Sequence, residues 1–116
     1  MYRLSLLFAT ALLIAVTQSA SAKNLYVNAS TGNDTVSYEN NSASSPWRTL
    51  GRAVWGNTTR SSPNSSQAAR AGDTVIVEAG TYGTSTATNQ RHDPIYNPVN
   101  SGTSSAPITI RANGNV

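Results

Sequence analysis

The chain has 116 residues, a formal charge of +3 at pH 7, 11% charged residues and no cysteine. That length excludes two independent domains, and the missing thiols exclude the disulfide staples on which small exported folds often depend. Ser, Thr and Asn make up 42 of the 116 residues. With so little charge, this is the composition of a turn-dense fold of short strands and not of a disordered polyanion or polycation.

In chain order, Arg3 precedes an apolar run from Leu4 to Val16, followed by small residues that place Ala20 and Ala22 as an A-x-A cleavage site. This reads as a secretory signal over residues 1–22, with Lys23 the first mature residue and export to the periplasm, cell surface or medium. The apolar run is too short to span a bilayer, so no stable membrane insertion is expected after cleavage. Removing Arg3 leaves +2 on residues 23–116. Those cations are scattered, without a basic stripe or interleaved aromatics, and nucleic-acid binding is not expected.

Lys23 to Asn28 alternates as a strand, with Leu25 and Val27 on one face and Tyr26 and Asn28 on the other. Ala29 to Ser45 is a polar loop carrying Gly32-Asn33-Asp34 and Asn40-Asn41-Ser42, which favour turns and side-chain bonding to the backbone. Ser45 to Gly56 predicts a short helix, with Ser45 as N-cap, Pro46 at the first helical position and Gly56 past the end. Trp47, Leu50 and Val54 share its apolar face, and Arg48, Thr49 and Arg52 lie elsewhere.

Asn57 to Gln67 is a second polar loop, and Gly72-Asp73 leads into a strand at Thr74–Val77 with Val75 and Val77 on one face. Glu78 to Tyr82 is a turn signal, Glu78 being most simply an outward solubilising charge with no visible partner. Ile95 and Tyr96, between Pro94 and Pro98, allow one brief further strand. Pro107 to Ala112 is the last strand, with Ile108 and Ile110 facing one way. The strands are too far apart for two-residue hairpins, and the second interval offers no crossover helix, which points to a solenoid.

The order Tyr26-Val27, Gly32-Asn33-Asp34, Ser45-Pro46-Trp47-Arg48-Thr49-Leu50, Gly72-Asp73-Thr74-Val75, Gly80-Thr81-Tyr82 and Ala106-Pro107-Ile108-Thr109-Ile110 resembles the right-handed parallel β-helix proteins of the pectate-lyase-like superfamily. It is similar to the amino-terminal cap and first coils of secreted polysaccharide lyases of the chondroitinase B, alginate lyase and pectate lyase types. The resemblance implies an all-β solenoid over residues 23–116, opened by a short amphipathic helix as its lid and continuing in a longer protein. It also implies an anionic, uronate-containing polysaccharide as partner, cleaved by β-elimination, with Ca²⁺ as the possible cofactor. The alternative is a non-catalytic glycan-binding protein, adhesin or stalk. The family's catalytic groups project from later coils, so no catalytic residue and no metal ligand is carried over.

Local chemistry adds little. Arg91-His92-Asp93 joins a titratable base to a carboxylate, and its simpler reading is a solvated loop before Pro94. Asp34, with Glu39, could lend oxygens to Ca²⁺, but a cation that wants six or more favours reading Gly32-Asn33-Asp34 as a turn held by Asx bonding. Asn28, Asn33, Asn40, Asn57 and Asn64 each open an N-x-[ST] triplet, which places those segments at the surface. Tyr26, Tyr82 and Tyr96 could stack on sugars or finish the core.

Overall fold

The computed structural model describes residues 22–82 and 97–116. The expected leader, the Arg91-His92-Asp93 group and the Ile95-Tyr96 segment therefore lie outside the described residues, save Ala22 at the leader's end. Most of the described chain is strand and irregular backbone, with one short helix, in keeping with the all-β expectation.

Three strands form one parallel sheet in chain order: β1 (Asn24–Val27), β2 (Thr74–Glu78) and β3 (Thr109–Asn113). Leu25 stands opposite Val75 and Val75 opposite Ile110; Val27 stands opposite Val77 and Val77 opposite Ala112. Because side chains alternate along a strand, these inward rows stack aliphatic on aliphatic. The third strand enters two residues later than the Ile108-x-Ile110 pattern suggests. Pro107 has no N–H to contribute to a ladder, so regular pairing starts at Thr109, whose N–H reaches the Asp73 carbonyl at 2.9 Å.

Leu25, Val27 and Val75 are wholly buried, with Trp47, Tyr38, Ala53, Ala69 and Val77 completing the core. β3 is exposed along its length, and Ile110 is 47% exposed. The opposite end of the sheet is closed. There the Asn28 N–H bonds the Trp47 carbonyl at 2.7 Å and the Trp47 N–H bonds the Tyr26 carbonyl at 2.9 Å, a parallel bridge along the free edge of β1.

Beside that bridge the Asn41 side-chain amide substitutes for a strand. Its oxygen accepts the Tyr26 N–H at 2.7 Å and its nitrogen donates to the Tyr26 carbonyl at 3.0 Å. An unpaired edge would otherwise invite another chain. Replacing Asn41 with Asp, almost the same shape, sets a carboxylate against the Tyr26 carbonyl. It is expected to cost about 1–3 kcal/mol, read as a lower urea midpoint at unchanged slope.

The helix differs from expectation at its start. α1 spans Leu50–Trp55, and Thr49, not Ser45, is the N-cap, its hydroxyl accepting the Arg52 N–H at 3.2 Å. Pro46 and Trp47 stay outside the helix because the Trp47 backbone is committed to the bridge with β1 and the Pro46 carbonyl accepts the Asn33 N–H at 2.8 Å. The end is as expected: Gly56 closes the helix at φ 71°, with the Asn64 carbonyl 1.9 Å from where a Cβ would sit. Six residues would not hold a helix alone. Here the last four carbonyls, those of Arg52, Ala53, Val54 and Trp55, accept N–H groups from Gly56, Ala69, Val99 and Asn64, so none of the usual terminal orphans remains.

Candidate functional site

The sheet face turned away from the core offers the one continuous surface built by all three strands. Tyr26, Ile76 and Arg111 occupy paired positions on it, flanked by Asn24, Thr74 and Thr109. Glu78 and Asn113 close the row, the Asn113 amide donating to the Glu78 carboxylate at 3.0 Å. Glu78, read from sequence as unpartnered, is thus tied across the strands. With neighbouring strands about 5 Å apart, the Tyr26 and Arg111 backbone positions stand roughly 10 Å from each other across Ile76. Ile76 is only 6% exposed, Tyr26 is half-buried and Arg111 is open to solvent. The arrangement offers an aromatic ring and a cation on either side of a firm apolar floor.

Tyr82 takes the other role weighed for the tyrosines. It packs on the core, and its hydroxyl donates to the Glu78 carbonyl at 2.8 Å and accepts the Ala29 N–H at 3.1 Å.

Asp34 is engaged by the protein itself. One carboxylate oxygen accepts the N–H groups of Arg48 and Thr49 at 2.8 and 3.0 Å, and the other accepts the Thr49 hydroxyl at 2.8 Å. This negative charge holds the N-cap Thr49 and the residue before it, at the helix end that favours an anion. Asn33 forms the expected Asx turn to Thr35 at 3.0 Å. Glu39 is exposed and held below the usual carboxylate range, first by its own backbone N–H and then by the Gln67 amide. Among the described residues no three His, Cys, Asp or Glu side chains cluster. The described residues therefore do not fit a Ca²⁺ site.

Two polar groups essential to the architecture escaped the sequence reading. Arg52, expected to face outward, is 5% exposed. Its guanidinium donates to the Asp34 and Val36 carbonyls at 3.0 and 2.9 Å and to the Gln67 carbonyl, and it stacks 4.4 Å from the Trp47 ring. Burial pulls its pKa down, against the charges of Asp34 and Glu39. Asp73, read only as a lead-in to β2, is 0% exposed. Its carboxylate accepts the Tyr38 hydroxyl at 2.7 Å, the Arg70 N–H at 3.0 Å and the Lys23 N–H at 3.1 Å.

Compared with models of known protein families and with curated proteins, the sequence matches none. Among the described residues no helix is long and apolar enough to cross a membrane.

Proposed function

We propose that this is a secreted carbohydrate-active protein of the right-handed parallel β-helix type, whose complete form cleaves an anionic, uronate-containing glycan by β-elimination. The observation that carries this reading is the outward row Tyr26, Ile76 and Arg111 on a sheet of consecutive parallel strands. A phenol ring suits the apolar face of a sugar, and a guanidinium suits its carboxylate, which it can bind through two parallel N–H donors. The parallel stacking in chain order and the closed edge at Trp47 support the solenoid. The apolar residue at the centre of the row favours a second reading, a non-catalytic glycan-binding protein, adhesin or stalk.

Incubation of the exported protein with pectate, alginate and chondroitin sulfate, with and without Ca²⁺, tests the two. The lyase reading expects rising ultraviolet absorbance from unsaturated product on one polymer; none on any of them overturns it. Binding without product leaves the second reading, and loss of binding to all three overturns both. Arg111→Ala is expected to weaken binding about tenfold at low salt and to flatten its salt dependence.

A further inference from the structure

Asp73 is a wholly buried carboxylate whose three hydrogen-bond partners are two backbone N–H groups and a phenol. Buried charges are ordinarily paired, because leaving water costs an isolated carboxylate several kcal/mol. Two cations lie close by but are directed elsewhere. The Lys23 ammonium sits 4.7 Å over the Tyr38 ring and bonds the Tyr38 and Glu39 carbonyls. The Arg70 guanidinium sits 4.0 Å over the same ring and bonds the Ser66 carbonyl. The one nitrogen on the carboxylate that can acquire a charge is the backbone nitrogen of Lys23, 3.1 Å from Oδ1.

We infer that removal of the leader after Ala22 turns the Lys23 backbone nitrogen into an α-ammonium that forms an ion pair with buried Asp73, locking β1 onto β2. The inference rests on the secretory reading of residues 1–22 and is independent of any glycan. The chemistry is hydrolysis: water adds across the Ala22–Lys23 peptide, the C–N bond breaks, Ala22 leaves as a carboxylate, and Lys23 nitrogen keeps the proton of an ammonium at neutral pH. Ala22 is exposed, so the remaining ammonium protons face solvent while one stays on Asp73. The Lys23 carbonyl already accepts the Thr74 N–H at 3.0 Å, the first bond of the β1–β2 ladder. The new charge therefore appears at the point where the sheet begins. Before cleavage the same carboxylate has only uncharged donors, so the fold is weaker while the leader is attached.

The test uses the full chain exported from a secreting host. Mass spectrometry is expected to place the terminus at Lys23. At pH 7.5 an amine-acylating reagent is expected to label the Lys23 α-amine at least tenfold more slowly in the native protein than after unfolding in urea, and Asp73→Asn is expected to remove that protection. Because this variant is liable to misfold, a second protein keeps Ala22 as its first residue, displacing the ammonium by one residue, about 3.8 Å along the chain. Its unfolding equilibrium constant is expected to be about tenfold larger than that of the exported form. A terminus other than Lys23 overturns the leader boundary and the inference with it. Lys23 at the terminus, but labelled as fast as when unfolded, or equal stability of the two forms, overturns the ion pair alone.

Discussion

Asp73→Ala is expected to destabilise the exported protein by about 3–5 kcal/mol, more than most single substitutions. The carboxylate collects the Tyr38 hydroxyl and the N–H groups of Arg70 and Lys23, and the shorter side chain leaves all three without this acceptor, the Tyr38 hydroxyl in a buried position and the two N–H groups in partly buried ones. Each such orphan costs about 1–3 kcal/mol. The effect should not depend on sugar or metal, and it should appear as loss of β1 from the sheet, since Lys23 and Asp73 join the starts of two strands. Tyr38→Phe removes one donor and keeps the acceptor, so it is expected to cost only about 1 kcal/mol. Urea denaturation of the two variants beside the parent measures both. An Asp73→Ala loss smaller than that of Tyr38→Phe would show that the carboxylate does not organise this corner.

The second large effect is at Trp47. Trp47→Ala is expected to cost about 3–5 kcal/mol, the range for emptying the space of a wholly buried aromatic ring. The ring also carries the Arg52 guanidinium at 4.4 Å, and its Nε1–H donates to the Val36 carbonyl at 2.7 Å. Truncation leaves a buried cation without its aromatic partner. Trp47→Phe keeps the ring face and loses the N–H, and about half of the stability loss should be recovered. Denaturant midpoints decide the matter, and equal losses for Phe and Ala would mean that the indole N–H, and not the ring, holds the lid.

The strands were legible because Leu25-x-Val27 and Val75-x-Val77 each set two aliphatic side chains on one face between turn residues, although Ile76 makes β2 apolar and buried on its other face as well. The register of β3 was not, since Ile108 and Ile110 repeat the same spacing and only the missing N–H of Pro107 separates the two choices. Gly56 announced the end of α1 through its need for positive φ. The start was misplaced because Ser45-Pro46 is a good local helix opening, overridden by the pairing of Trp47 with β1. Arg52 and Asp73 were missed for a shared reason. Apart from the Arg70 N–H beside Asp73, their hydrogen-bond partners lie 15 or more residues away and leave no periodic trace, and a charged side chain is by default assigned to solvent. Of the outward row, Tyr26 was placed on the face of its strand opposite Leu25 and Val27, and Arg111 follows Ile110 in the alternation of β3. What brought them to matching positions was a register that the sequence did not reveal.

The helix α1 is too short to be a wall or a lever, yet its final carbonyls bind Asn64, Ala69 and Val99, three points that the Asn100 amide, bonded to the Ser65 and Ala69 carbonyls, also draws together. It works as a rivet. A force that pulls any of these loops outward is carried through α1 to the other two and to the Trp47 edge, so none of them can swing free while the helix stays wound. Whatever the outer face of the sheet grips, the strain of gripping it is shared by the closed end of the molecule.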